Sequence, residues 1–222
     1  MTRRALPRPA APLGAALLGA ALLVAGCSGG ASPTPIGNPD PSATVPPSTG
    51  TAACPTAEPA ALPAGETRTV TIETSMGTIV TRIEGALSPI AAGNFVALAG
   101  CGYYDGVVFH RVVPDFVIQG GDPGATGRGG PGYTISDEPV TATYRRGTLA
   151  MARTPAPNSQ GSQFFIVLDD SAAQRGLAAA NTYAIFGEVT SGMEVVDAIA
   201  AAADAELPSQ PIAMTSVTVS VP

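Results

Sequence analysis

Residues 109–123 read FHRVVPDFVIQGGDP. Two runs of apolar and β-branched residues flank a proline-containing turn. The pattern is that of two short strands joined closely. The stretch holds His110, the only histidine of the chain, and Arg111 directly after it. Neighbours on a strand point to opposite faces. If Arg111 lines an outer groove, His110 packs inward, and which of the two does chemistry depends on the reaction.

Upstream, RTVTIETSMGTIVTRIEG alternates β-branched residues about SMG, a strand–turn–strand signature. SPIAAGNFVALAGCG then reads as a helix, with Ser88 as N-cap, Pro89 in the first turn and Gly100 or Gly102 at its end. Downstream, YTISD, GTLAMAR, SQFFIVL and YAIFGEV are further short strands. SGMEVVDAIAAAA is a second helix capped by Ser191, and IAMTSVTVSVP is a closing strand. Many short strands with only two helices predict a mainly β antiparallel barrel rather than alternating βα units. GRGGPG (127–132) has dinucleotide-loop spacing, but Pro131 and YTIS follow it instead of a helix. It is read as a flexible surface loop.

The N-terminus has a different character. Arg3, Arg4 and Arg8 precede an apolar run from Leu13 to Ala25, too short to span a bilayer comfortably, which ends in LVAGC. This resembles a bacterial lipobox, which implies a signal peptide over 1–26 and lipidation of Cys27. An ordinary secretory signal with an incidental Cys is the plain alternative. Residues 27–65 are built from Pro, Ser, Thr, Ala and Gly and are expected to form a disordered tether. The folded domain is expected over 66–222. With Cys27 lipidated, Cys54 and Cys101 remain as an even pair, and an oxidising compartment permits a disulfide between them. Two separate thiols are the alternative. The expected location is the extracytoplasmic face of the membrane.

The formal net charge is −6, and losing three arginines with the signal makes it −9. All 11 basic residues are Arg and none forms a run. An acidic chain of this kind is unsuited to nucleic acid, whose affinity comes largely from neutralised phosphates.

FHRVVPDFVIQGGDP, GTLAMAR, GSQFFIVL and YAIFGEV, in that order, resemble the cyclophilin family of peptidyl-prolyl cis–trans isomerases. The resemblance runs from about Thr67 to Val221. It implies an eight-stranded, closed antiparallel β-barrel capped by two α-helices. It also implies an enzyme that acts on proline-containing polypeptides without metal or other cofactor, and a monomer.

The chemistry suits these residue types. An X–Pro bond is held planar by resonance, with a barrier of roughly 18–20 kcal/mol. No bond is made and no proton must move. A catalyst needs an apolar pocket for the ring and a donor for the prolyl nitrogen as resonance breaks. Arg supplies a charged planar fork of N–H groups, whereas a histidine base adds nothing. By resemblance, Arg111 is the catalytic cation, with Gln119 holding it and Phe116 beside it. Phe116, Val117 and Phe165 form the proline pocket, with Leu177 and Tyr183 on its wall. Gln163 and the backbone at Ala152 and Arg153 bind the peptide before the proline.

The sequence departs from the family pattern in three places. Arg153 stands where many members have Asn, which brings a new cation near the groove. The stretch between FF and FG is longer than usual. There is no Trp, so cyclosporin-type inhibitors are expected to bind weakly. Tyr183 matches a position often held by His in eukaryotic members and Tyr in bacterial ones. Two readings stand beside catalysis: a proline-peptide-binding or chaperone-like module on the same fold, and an idle surface lipoprotein. A serine or cysteine hydrolase lacks support, since there is no G-x-S-x-G turn.

Overall fold

The computed structural model describes residues 53–172 and 176–221. The expected signal peptide, Cys27 and the tether up to residue 52 lie outside the described residues. Eight strands form one sheet: β1 (Thr67–Thr74), β2 (Gly77–Glu84), β3 (Arg111–Val113), β4 (Val117–Gly120), β5 (Thr148–Met151), β6 (Phe164–Val167), β7 (Ile185–Ser191) and β8 (Met214–Ser220). Their order is β3-β4-β6-β5-β7-β2-β1-β8, and every ladder is antiparallel. The edges β3 and β8 meet only through a bridge between Val108 and Ala213, flanked by Phe109 N–H to Ile212 O at 2.9 Å and Met214 N–H to Val107 O at 2.9 Å. The closed barrel expected from the sequence is thus a curled sheet whose last seam is a bridge. YTISD forms no strand; Ile135 makes one bridge, to Gln160.

Two helices cap the barrel: α1 (Pro89–Gly100) and α4 (Met193–Ala202). Two single turns, α2 (Asp170–Ala172) and α3 (Ala178–Ala180), fall between β6 and β7. Both capping expectations need correction. Ser88 occupies the N-cap of α1, but its hydroxyl is buried without a partner. Glu138 takes over the role, accepting the N–H groups of Ile90 at 2.8 Å and Ala91 at 2.9 Å. A carboxylate there also opposes the positive end of the helix dipole. Ser191 ends β7, and Gly192, with φ at +89°, starts α4.

The two faces of the sheet divide by the two-residue strand period. Val112, Ile118, Phe164 and Ile166 point into the main core beneath α1 and α4. There Phe95 of α1 contacts the rings of Tyr104, Phe164 and Phe186 at centroid distances of 5.2, 5.1 and 4.9 Å. Burying one such side chain contributes roughly 1.5–3 kcal/mol. Val117, Phe165 and Val167 point to the other face. They join Tyr144, Ala150, Leu177 and Ile185 in a second cluster.

The tether expected over 27–65 also needs correction, because residues 53–65 pack on the barrel. Leu62 is buried, and its N–H donates to Pro89 O at 2.9 Å. Its neighbour Ala60 lies so close to α1 that a Cβ on Gly93 would stand 2.2 Å from the Ala60 carbonyl. Glu58 accepts the N–H of Ser136 at 2.6 Å. Cys54 is joined to Cys101, at the end of α1, with Cα atoms 5.2 Å apart. One buried leucine and a close backbone approach decide the matter, and neither shows in a composition of Pro, Ala and Thr.

Candidate active site

The site is built as a row across the sheet. Arg111 of β3 pairs with Gln119 of β4, Gln119 with Phe165 of β6, and Phe165 with Ala150 of β5. Directly opposed residues on adjacent strands bring their Cβ atoms to about 4.5–5.5 Å, so the register alone sets the spacing of these side chains.

Around the row lies a hollow of about 290 Å³. It is lined by Arg111, Phe116, Val117, Gln119, Ala152, Arg153, Phe165, Gly176, Leu177 and Tyr183. Nine of these ten were named from the sequence; Gly176 was not. One wall is aromatic and aliphatic. Phe165 meets Tyr183 edge to face, with centroids 5.5 Å apart, and Leu177 is buried. Tyr144 holds Tyr183 from behind: its hydroxyl donates to the Tyr183 carbonyl at 2.8 Å and accepts from the Tyr183 N–H at 3.1 Å. Burial pushes the Tyr144 hydroxyl up to about 12, so it remains a donor.

Polar groups close one side of the hollow. Arg111 Nη1 donates to Gln119 Oε1 at 3.4 Å. Gln119 Nε2 donates to Gln163 Oε1 at 2.9 Å, and Gln163 Nε2 to the Gly129 carbonyl at 2.9 Å. On its other edge Arg111 is paired with Glu206, Nε and Nη2 each standing 2.7 Å from Oε1. Gln163 lines a neighbouring hollow, of about 330 Å³, together with the glycine-rich loop. Ala152 donates its N–H to the Gln163 carbonyl at 2.9 Å, so that N–H is not open to a peptide.

The glycine-rich loop is not the flexible segment expected. Fully buried Asp122 gathers it. Its carboxylate accepts the N–H groups of Gly124 (2.8 Å), Thr126 (2.9 Å), Arg128 (3.1 Å) and Gly129 (3.0 Å), and the Thr126 hydroxyl (3.0 Å). Burial alone would raise the Asp122 pKa. The hydrogen bonds from Gly129, Gly124 and Thr126 outweigh burial and hold it at about 2. A Cβ on Gly129 would stand 2.0 Å from Asp122 Oδ1, so the loop closes this tightly only with glycine there.

Arg153 lies at the rim, but its cation is not free. Its side chain is only 11% exposed, with Nη1 3.0 Å from Asp137. Nη2 donates to Ala156 O at 2.9 Å and Nε to Thr154 O at 3.2 Å. A guanidinium turned back into the loop it belongs to adds no open charge to the groove.

His110 precedes β3 and does not line the hollow; its ring lies beside the glycine-rich loop, where a Cβ on Gly127 would stand 3.8 Å from Nε2. It is buried, 4% exposed, with Asp122 and Gln163 among the groups about it. Burial pushes its pKa down. A neutral, enclosed imidazole has no access to a ligand in the hollow.

Sequence reading missed Asp122 and Glu206. Asp122 carried a signal, since GGDPG has the Asp–Pro–Gly chemistry of a turn centred on an Asp side chain. Glu206 carried none. It lies 95 residues from Arg111 in a stretch without periodicity.

A sequence model of the family described as Cyclophilin type peptidyl-prolyl cis-trans isomerase/CLD matches residues 69–219. The Arabidopsis thaliana peptidyl-prolyl cis-trans isomerase CYP18-2 is 45% identical over 142 residues, covering 61% of this chain and 82% of that protein. The probable peptidyl-prolyl cis-trans isomerase A of Mycobacterium leprae is 38% identical over 173 residues, covering 68% and 92%. Among solved structures, a cyclophilin type peptidyl-prolyl cis-trans isomerase of Cryptosporidium parvum superposes with a TM-score of 0.63 at 33% identity, covering 70% of this chain and 99% of that one.

Proposed function

The chain belongs to the cyclophilin-type peptidyl-prolyl cis–trans isomerase family, and on that premise we propose that it works outside the cytoplasm, anchored by lipid at Cys27, on X–Pro bonds of exported or surface proteins. It is an isomerase of this type. The observation that supports the site assignment best is the row Arg111–Gln119–Phe165, in which a charged donor and an aromatic floor face one hollow.

In this reading the proline ring enters between Phe116, Val117, Phe165, Leu177 and Tyr183. Arg111 then points its N–H groups at the prolyl nitrogen, which gains a lone pair only when the amide twists. The donation therefore acts on the transition state more than on the planar substrate. Gln119 and Gln163 fix the donor and meet the peptide carbonyl. Arg153 contributes backbone, because its side chain is spent on Asp137 and the nearby carbonyls.

Export is supported by the LVAGC stretch and by Cys54–Cys101, since structural disulfides persist in oxidising compartments. Cys27→Ser is expected to move the protein from the membrane fraction to the soluble or secreted fraction. A variant that stays in the membrane fraction like the parent sinks the anchoring. For inhibitors, the chain offers no indole N–H, and Leu177 supplies only apolar contact. Cyclosporin-type compounds are expected to inhibit weakly in a side-by-side titration against a Trp-bearing relative. Equal potency overturns this.

A further inference from the structure

Catalysis of this kind requires an aimed guanidinium, yet Arg111 is the end of a long side chain with about a third of its surface exposed. A long Arg side chain has several rotamers to give up when it is held in one direction. Gln119 alone holds Arg111 weakly, through one bond of 3.4 Å. The shorter contacts come from Glu206, at 2.7 Å to both Nε and Nη2. We infer that Glu206 is the positioning residue of the active site, holding the rear edge of Arg111 so that Nη1 and the free N–H of Nη2 face the hollow. The inference rests on Arg111 being the catalytic cation.

The backbone supports this role. Glu206 lies between α4 and β8, and three ties fix that segment. Val112 N–H donates to Glu206 O at 2.8 Å, which fastens the residue to the strand that carries Arg111. Asp204 accepts the N–H of Ser209 at 2.9 Å and its hydroxyl at 2.6 Å. Phe109 N–H donates to Ile212 O at 2.9 Å. The carboxylate is thus delivered to Arg111 by main chain already in place. It has no base role, because isomerisation moves no proton.

Two effects of Glu206 oppose each other. Its negative charge weakens the donor, whereas its geometry aims it. Geometry wins because the Glu206 side chain is 59% exposed, so water screens its charge, while the direction of the N–H groups is not screened.

The test uses Glu206→Gln and Glu206→Asp in the full chain, each also combined with Arg111→Ala. Turnover, KM and Tm are measured for every variant. The NMR signal of the Arg111 side-chain Nε–H, identified by its loss in Arg111→Ala, reports the clamp directly. Glu206→Gln is expected to lower kcat about three- to tenfold, with KM within about twofold and Tm unchanged. Glu206→Asp recovers part of the loss. The Nε–H signal broadens or shifts in Glu206→Gln. In the Arg111→Ala background neither substitution has an effect. Parental or faster turnover in Glu206→Gln overturns the inference, as does an equal loss with and without Arg111. If Arg111→Ala itself keeps parental turnover, the assignment of the catalytic cation fails instead.

Discussion

Arg111→Ala is expected to lower kcat/KM by ~10²–10³, equivalent to roughly 2.7–4 kcal/mol of transition-state stabilisation, in a prolyl isomerisation assay on a short X–Pro peptide. Three features set the size. The donor is charged, it faces a hollow with an aromatic floor, and among the described residues lining that hollow the other cation, Arg153, is committed to Asp137 and its own loop. Arg111→Lys should lose much of the activity as well. An ammonium cannot serve Gln119, Glu206 and a prolyl nitrogen in one plane. His110→Gln should keep turnover in the folded protein, because the imidazole is buried, does not line the hollow, and isomerisation moves no proton. With its pKa pushed down by burial and no proton in flight, kcat/KM should show no step attributable to His110. Loss of turnover in His110→Gln at matched folded fraction, with turnover kept in Arg111→Ala, reverses the assignment.

Asp122→Ala is expected to destabilise the domain by about 3 kcal/mol, or about 6–12 °C in Tm. The substitution removes the acceptor of the Gly124, Thr126 and Gly129 N–H groups and of the Thr126 hydroxyl around a buried void, while Arg128 N–H keeps the Thr126 hydroxyl. Activity should fall too, because Gln163 takes its bearing from the Gly129 carbonyl of that loop. The pH dependence gives an independent check. The folded pKa of Asp122, about 2, lies below its ordinary 3.8. Its contribution is therefore complete above about 3.8 and is lost as pH falls through about 2, amounting to roughly 2 kcal/mol. Other carboxylates titrate nearby, so the quantity to measure is the difference in Tm between parent and Asp122→Ala from pH 7 down to about 2. That gap should narrow on acidification. A gap that stays constant with pH, or a Tm unchanged at neutral pH, overturns the role given to Asp122.

Much of the fold was legible, because alternation and turn chemistry are local. The flanks of Pro114 became β3 and β4, and the β1–β2 hairpin formed about Ser75 and Met76. The hollow was legible for a different reason. Arg111, Gln119 and Phe165 lie in segments whose order resembles a known family, and pairing register then brings them together. What stayed hidden was set by tertiary contacts between remote segments. Glu138 displaces Ser88 as the cap of α1 from 50 residues away, a separation no capping pattern reads. Leu62 is a lone leucine in a Pro/Ala-rich stretch, and only the nearness of Gly93 shows that it docks. The Arg153 cation was visible as a residue type, but its pairing with Asp137 was not.

The bridge between Val108 and Ala213 leaves β3 with a full ladder on one side only. The strand that carries Arg111 is therefore a sheet edge, and an edge has unpaired main-chain groups. The segment around Glu206 occupies part of that edge through its carbonyl bond to Val112. That bond occupies a main-chain donor of β3 that an added ninth strand would need. An isomerase of proline-containing polypeptides is exposed to chains that could pair with such an edge. Covering the edge beside the groove directs such chains to the hollow rather than to the sheet's main-chain groups.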